Sequence, residues 1–138
     1  IYYSASGAPA QEGYEQVDFE TLLTQSDIIS VHAPLNEHTE GLINSKAFEK
    51  MKSSCIFLNL GRGPIVDEQA LYNALVRNQI AAAGLDVLCE EPMSADNPLL
   101  KIKDSKHLLI TPHIAWASVE ARTHLMEIIH GQVKDFFA

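Results

Sequence analysis

The sequence has few cysteines and few basic residues, and both shortages exclude classes of protein. Cys55 and Cys89 are the only cysteines in 138 residues, and neither stands in a Cys-x-x-Cys or Cys-x-x-His spacing. No metal or redox centre is therefore predicted, and small core residues in a reducing, cytoplasmic compartment are the favoured interpretation. Ten Lys and Arg residues stand against 18 Asp and Glu residues, which gives a net charge of −8. Such an acidic chain is not expected to bind nucleic acid or an anionic membrane surface.

Long apolar runs and a common hydrolase signature are missing as well. The sequence has no run of about 20 apolar residues, the length that a transmembrane helix needs, so no membrane partner is predicted. The Gly-x-Ser-x-Gly turn of many serine hydrolases does not occur. The chain also opens without Met, directly on the apolar Ile1-Tyr2-Tyr3, and we expect residue 1 to be an interior position of a longer polypeptide.

Apolar runs alternate with stretches of helical spacing along the rest of the chain. The runs predict strands at residues 1–3, 27–31, 54–60, 80–87 and 107–110. Helices are predicted after the N-cap residues Asp18, Ser45, Asp67 and Ser118, the last helix extending to about Phe136. This alternation predicts right-handed crossovers and a mainly parallel α/β sheet. The continuous apolar run at 27–31 is typical of a strand covered on both faces.

Three predicted strands are followed by residues whose chemistry suits a carboxylic acid ligand. Arg62 lies in Gly61-Arg62-Gly63, Glu91 follows the run that ends at Asp86, and His113 comes after Thr111-Pro112. An open α/β sheet places its ligand groups at the carboxyl ends of the strands. An arginine, a carboxylate and an imidazole at that edge suffice to bind a 2-oxo acid and to supply the proton when a hydride donor reduces it.

Arg62 stands between two glycines, which let the backbone turn sharply and a ligand approach closely. Its planar guanidinium can hold a substrate carboxylate by two parallel hydrogen bonds. The alternative is a surface arginine in a turn, and the local pattern leaves both interpretations open.

Two carboxylates follow the predicted strand at 80–87. Asp86 lies near the end of this strand, and Glu91 comes five residues after Asp86. Carboxylates at this edge of a sheet tend to be ligand groups. For Glu90 a solvated surface charge is favoured, and for Glu91 the two interpretations are evenly balanced before any resemblance is considered.

His113 differs from the other histidines because its turn could face the turns that carry Arg62 and Glu91. Beside a carboxylate the imidazole would be held protonated near neutral pH. It could then give its proton to a carbonyl oxygen as hydride arrives at the carbon atom. For the others a hydrogen-bonded surface or core histidine is the default: His32, His38, His107, His124 and His130.

Four motifs, in order, resemble the D-isomer-specific 2-hydroxyacid dehydrogenases, from roughly Ser26 to the end of the chain. They are Val31-His32-Ala33-Pro34-Leu35, Leu58-Asn59-Leu60-Gly61-Arg62-Gly63, Gly84-Leu85-Asp86-Val87 with Glu91-Pro92, and Thr111-Pro112-His113-Ile114-Ala115. Within the family, residues 95–99 and 113–118 most resemble those of glycerate dehydrogenases, also called hydroxypyruvate reductases.

The resemblance implies a Rossmann-like, doubly wound, mainly parallel sheet, of which this chain is a part. Residues 1–117 would be the C-terminal part of a dinucleotide-binding domain, and 118–138 a long helix leading back toward a substrate domain. The first βα unit, with its Gly-rich phosphate loop, and the substrate lobe are expected outside the chain. A homodimer is expected for the whole protein.

The resemblance also implies an activity and a set of site residues. Hydride would pass between NAD(P) and a D-2-hydroxy or 2-oxo acid, with glycerate and hydroxypyruvate as the expected pair. Arg62 looks like the substrate-binding arginine, Glu91 like the acid paired with histidine, and His113 like the proton donor. The expected cofactor contacts are Asp86 at the nicotinamide end, Leu60, Gly61, Arg62 and His113 near it, and His32, Ala33, Pro34 and Thr39 toward the adenosine half.

The type of dinucleotide and one alternative function stay open. Ser4, followed by Ser6, stands where the family carries an acidic residue that binds the ribose 2′-hydroxyl and repels a 2′-phosphate. No Lys or Arg precedes Lys46, so NAD is expected as the cofactor and NADP stays open. The C-terminal-binding protein corepressors share the fold and these residues, but the glycerate-type segments favour the enzyme.

Overall fold

The computed structural model describes residues 1–137, and a four-stranded parallel sheet forms its centre. The sheet has the order β1-β2-β3-β4, with β1 at Ile28–Val31, β2 at Ile56–Asn59, β3 at Ala82–Leu85 and β4 at Leu108–Ile110. The helices are α1 at Phe19–Gln25, α2 at Ser45–Lys50, α3 at Glu68–Val76 and α4 at Val119–Phe136, with 3₁₀ turns at Gly63–Ile65 and Pro98–Lys101. The predicted parallel α/β class is confirmed, and every strand ends at the same edge.

Side-chain caps explain where the helices begin. Asp18 accepts a hydrogen bond from the Thr21 amide, and Asp67 and Ser118 act in the same way at α3 and α4, as predicted. The predicted cap Ser45 is wrong by one residue. Asn44 has the extended backbone of an N-cap, and its side-chain oxygen accepts from the amides of Lys46 and Ala47. Ser45 is therefore the first residue of the helix.

One face of the sheet forms the core. α1 packs on α2 and α2 on α3, and alternate strand residues face this layer. Phe48 of α2 meets Phe57 of β2 edge to face, with ring centroids 5.5 Å apart and both side chains fully buried. The remaining inward-facing strand residues are also buried: Ile29, Val31, Asn59, Ala83 and Leu85.

The opposite face of the sheet is exposed in the described chain. Ile28 of β1 is 61% exposed and Leu109 of β4 is 59% exposed. The expectation that strand 27–31 is covered on both faces is therefore wrong for the described residues. Its inner residues pack with the buried cluster, whereas Ile28 and Ser30 lie on the uncovered side.

The first residues do not form the predicted strand. Tyr2 makes an isolated parallel bridge with Gln16, through hydrogen bonds of 2.9 Å with the backbone of Glu15 and Val17. This pair lies outside the four-stranded sheet, whose edge strands are β1 and β4. An apolar run of three residues predicts neither its partner nor its length.

α4 is the longest helix and buries none of its 18 residues. Its end at Phe136 agrees with the prediction. The division of the chain at residues 117 and 118 stays a prediction. No helix within residues 1–137 is long and apolar enough to cross a membrane. The exposed apolar side chains of α4 are Val119, Leu125, Met126, Ile128, Ile129, Val133 and Phe136.

Candidate active site

The predicted site residues follow three adjacent strands at the carboxyl edge of the sheet. Arg62 follows β2, Asp86 and Glu91 follow β3, and His113 follows β4. The parallel register places the ends of these strands side by side, with Asn59, Leu85 and Ile110 in one row. The turns after the three strands are therefore neighbours.

Asn59, the last residue of β2, shapes the turn that carries Arg62. Its side-chain amide donates to the Arg62 carbonyl at 3.0 Å, and its side-chain oxygen accepts from the Gly61 amide at 3.1 Å. Asn59 is 1% exposed, and its contact with the Gly61 amide is buried. The guanidinium of Arg62 is exposed and donates through Nη1 to the Gly61 carbonyl at 2.8 Å. Within residues 1–137 Arg62 makes no ion pair, which leaves most of its donors available to an anion.

Glu91 and His113 form a hydrogen-bonded pair. The Oε2 atom of Glu91 lies 2.9 Å from Nδ1 of His113, and its Oε1 atom accepts from the Leu88 amide at 2.9 Å. The hydrogen bond from Leu88, followed by that from His113, lowers the pKa of Glu91 below its ordinary value. An ionised carboxylate only accepts hydrogen bonds, so Nδ1 carries a proton and Nε2 is the nitrogen left for a ligand.

Asp86 anchors the turn that carries His113. Its Oδ1 atom accepts from the Thr111 hydroxyl at 2.5 Å and from the Ile114 amide at 2.9 Å, and Oδ2 accepts from the Ala115 amide at 2.8 Å. Burial raises the pKa of Asp86, but these hydrogen bonds outweigh burial and the net shift is downward. His113 adopts a left-handed backbone with φ of 55°, which Asp86 helps to hold.

The turns after β2 and β3 touch through Gly63. A Cβ atom on Gly63 would lie 1.9 Å from the carbonyl carbon and oxygen of Leu88, so only glycine allows this approach. The thiol of Cys89 donates to the Val66 carbonyl across the same contact, at 3.6 Å. Cys89 is exposed as a residue, so the expected core position is wrong for it and right for Cys55. Partial desolvation of its thiol, together with nearby Glu68, raises the pKa of Cys89 to about 11, so the thiol keeps its proton at neutral pH.

The loop after β1 lies beside the Arg62 turn. A Cβ atom on Gly61 would lie 3.1 Å from the Ala33 carbonyl, so the two backbones are close neighbours. The hydroxyl of Thr39 donates to the Pro34 carbonyl at 2.7 Å, and Thr39 is 1% exposed. Thr39 thus stabilises the loop from inside, and its predicted direct contact with a cofactor stays a prediction. His32 is exposed and shares a 2.8 Å hydrogen bond with Ser30.

Ser4 lies in a turn of its own, outside the four-stranded sheet. Its hydroxyl is 3.2 Å from the Ser6 hydroxyl and accepts from the Ala8 amide at 3.2 Å. Ser4 is half-buried, and Leu60 beside the Arg62 turn is 39% exposed. Within the described residues, Ser4 makes no hydrogen bond with a charged side chain.

Sequence reasoning missed three supporting residues and a pocket. Asn59, Thr111 and Glu68 make hydrogen bonds that shape the site. Asn59 and Thr111 belong to the family motifs, but the motifs did not predict these hydrogen bonds. A polar residue at the end of an apolar run was the signal available for Asn59. A pocket of about 710 Å³ also opens beside Glu91 and His113, with mainly apolar walls that include Met93, Leu99, Ile102, Leu108 and Ile110.

The sequence profile of the D-isomer specific 2-hydroxyacid dehydrogenase NAD-binding domain matches residues 1–115. The chain belongs to this family. Hydroxypyruvate reductase of Blautia hydrogenotrophica is 45% identical over 138 residues, which is 99% of this chain and 42% of that protein. The chain thus spans less than half the length of this relative. The family resemblance drawn from the motifs is confirmed.

Solved structures of similar proteins support the Rossmann-like fold. An acyclic imino acid reductase (Bsp5), in complex with NADPH and D-Arg, has a TM-score of 0.84 at 36% identity. That match covers 98% of this chain and 42% of the reductase. D-lactate dehydrogenase from Lactobacillus jensenii with NAD+ has a TM-score of 0.78 at 36% identity, over 91% of this chain and 41% of its own.

Proposed function

We propose that this chain is part of an oxidoreductase and carries its catalytic residues. The enzyme transfers hydride between NAD(P) and a D-2-hydroxy acid. The observation that carries the proposal is the 2.9 Å pair of Glu91 and His113 beside the Arg62 turn. Glycerate and hydroxypyruvate are the proposed pair of substrates, because the motifs and the reductase from Blautia hydrogenotrophica favour them.

Each of the three side chains has one task in this reaction. Arg62 binds the substrate carboxylate with its forked donors and fixes which face of the oxo group is presented. In reduction His113 donates the proton on Nε2 to the carbonyl oxygen, and in oxidation the same nitrogen accepts the hydroxyl proton. Glu91 keeps the imidazole oriented through Nδ1 and stabilises its positive form.

The described residues fit a dinucleotide along the edge of the sheet. Gly61 and Gly63 let the Arg62 turn pack directly against the backbones of Ala33 and Leu88, which brings the loops after β1, β2 and β3 together at this edge. The dinucleotide, when bound, supplies or accepts the hydride at its nicotinamide ring. We propose that Leu60, Gly61 and Asp86 flank that ring, and that His32, Ala33 and Pro34 line the adenosine half.

NAD is the proposed cofactor, and Ser4 is the proposed neighbour of the ribose 2′-hydroxyl. Similar structures hold NAD+ in one case and NADPH in another, so this choice is tested by measuring both. A cytoplasmic homodimer is proposed for the whole protein, in line with its family resemblance and its free cysteines. The relatives reported above are named as reductases and dehydrogenases, which favours the enzyme over a corepressor.

The test measures turnover by the intact protein that carries this chain. Hydroxypyruvate and glyoxylate are offered with NADH or NADPH, and the decrease in absorbance at the nicotinamide band is followed. We expect turnover that His113→Ala abolishes, with dinucleotide affinity retained. Dinucleotide binding without any turnover would support the corepressor alternative, and undiminished turnover in His113→Ala would remove His113 from the reaction.

A further inference from the structure

Glu68 lies in the first turn of α3 and holds two parts of the loop that follows β3. Its Oε1 atom accepts from the Cys89 amide at 2.8 Å, and its Oε2 atom accepts from the side-chain amide of Asn97 at 2.7 Å. Asn97 is 8% exposed and caps the 3₁₀ turn by accepting from the Leu99 amide at 2.9 Å. One carboxylate therefore closes residues 89–97 into a loop anchored at both ends.

The loop closed by Glu68 carries Glu91. The amides of Leu88 and Cys89 are consecutive donors, the first to Glu91 and the second to Glu68. Fixing the Cys89 amide therefore restrains the peptide next to the one whose N–H, that of Leu88, donates to Glu91. Glu91 in turn holds Nδ1 of His113.

The same carboxylate is tied to the Arg62 turn. Glu68 follows Gly63 by five residues, and the backbone of Gly63 rests directly against the Leu88–Cys89 peptide. A second contact, from the Cys89 thiol to the Val66 carbonyl, joins the same two segments. The position of the Glu91 loop relative to the Arg62 turn is thus set by contacts on both sides of that peptide.

We propose that Glu68 is a positioning residue for the Glu91–His113 pair, with the Asn97 side chain as its partner. This inference rests on the proposed function, because it assumes that the pair moves a proton. Glu68 does not touch the pair itself and acts by fixing the loop that supplies Glu91. The charged groups that face His113 are Glu91 and Asp86, and both are held by backbone amides.

The donor and acceptor pattern between Glu68 and Asn97 allows a sharp test in the intact protein. In Glu68→Gln the remaining oxygen can stay on the Cys89 amide, but the new NH₂ group then faces the NH₂ group of Asn97, and two donors oppose each other. Asn97→Asp sets two carboxylates against each other where 2.7 Å now separates donor from acceptor. In the double variant Glu68→Gln/Asn97→Asp the two partners exchange roles, and an acceptor remains for the Leu99 amide.

We expect each single variant to lower kcat for reduction about tenfold, because the loop that holds Glu91 would spend most of its time away from the position that pairs with His113. The pH above which reductive activity declines should also fall, while KM for the dinucleotide stays within about twofold, since no cofactor contact is altered. The double variant should recover both kcat and the pH profile. Glu20→Gln, which removes a first-turn carboxylate from α1, is the matched control and should change neither.

Two results would overturn the inference. The first is single variants that lose thermal stability but keep the parent kcat and pH profile, which would make Glu68 a structural residue only. The second is a double variant that is no more active than either single variant. If Glu68→Gln does not fold, Asn97→Asp and the double variant provide the same comparison. Failure of the proposed function looks different, because the parent would then show no turnover or His113→Ala would keep it.

Discussion

Replacing Asp86 by Asn should release the turn that carries His113. Asp86 is 3% exposed, and its two oxygens accept three hydrogen bonds from Thr111, Ile114 and Ala115. The amide of Asn has only one oxygen. If that oxygen keeps the contacts of Oδ1, the new NH₂ group faces the Ala115 amide, and two donors then oppose each other.

The cost follows from those three contacts. An unpaired buried donor costs about 1–3 kcal/mol, and hydrogen bonds to a neutral oxygen are roughly half as strong as those to a carboxylate. Together these changes should destabilise the turn by about 3 kcal/mol, which is about a hundredfold in its opening equilibrium. The variant is isosteric, so loss of packing contributes little.

The effect should depend on pH in one direction. The pKa of Asp86 is lower in the folded chain than its ordinary value, because hydrogen bonds to the carboxylate outweigh burial. A group of this kind contributes stability that is complete above its unfolded pKa, about 3.9, and lost as the pH falls through the folded value. The difference between parent and Asp86→Asn should therefore be constant from pH 7 to about 5 and shrink below about pH 4.

Amide hydrogen exchange measures this opening directly. Exchange at Ile114 and Ala115 should accelerate about a hundredfold in Asp86→Asn at neutral pH, while the Ile56 amide, which donates to the Asp27 carbonyl at the other end of β2, stays protected. Asp27→Asn is the control, because Asp27 is 79% exposed in its pair with Lys52 and should matter little. Exchange at Ile114 and Ala115 that matches the parent would refute this account of Asp86.

Three further changes test the remaining contacts. In Glu91→Gln the protonated imidazole of His113 loses its negative partner, so reductive activity should decline at a lower pH than in the parent; an unchanged pH profile would contradict the pairing. Arg62→Lys should raise KM for the oxo acid and not for the dinucleotide, because a point charge replaces a fork at a cost of about 1.5–3 kcal/mol; equal rises would contradict a carboxylate site. Gly63→Ala should destabilise the fold by at least about 3 kcal/mol, as a Cβ atom cannot share space with a carbonyl. The control Gly131→Ala, which meets nothing within 4 Å, should be neutral or stabilising, and similar effects of both changes on the unfolding midpoint would refute the close contact.

The elements that the sequence predicted well are those with a local signature. α3 has a cap, Asp67, and a repeating apolar face, and both depend on neighbours within one or two turns. The 3₁₀ turn at Pro98–Lys101 was not predicted, because a four-residue turn gives no repeat. The prediction that β1 is covered on both faces was wrong for the described residues, because an apolar run such as 27–31 does not reveal how many layers pack on the strand.

The candidate site shows the same division. The family motifs located Arg62, Glu91 and His113, but they did not reveal the groups that hold them. Asp86 and the Ala115 amide are 29 positions apart, as are Glu68 and Asn97. The first of these contacts ends on a backbone amide, which every residue except proline offers, so no residue type marks it in the sequence.

The support for the three side chains is uneven, and this difference has a consequence for binding. Glu91 and His113 are fixed to each other and to backbone anchored by Leu88 and Asp86. Within residues 1–137 the guanidinium of Arg62 makes one hydrogen bond, to the carbonyl of its neighbour Gly61. A substrate carboxylate must therefore order the Arg62 side chain, at about 0.5–1.5 kcal/mol for one flexible residue, whereas the proton-transfer pair is already in place. Substrate analogues whose carboxylate cannot reach Arg62 should therefore bind more weakly, while the Glu91–His113 pair stays unchanged.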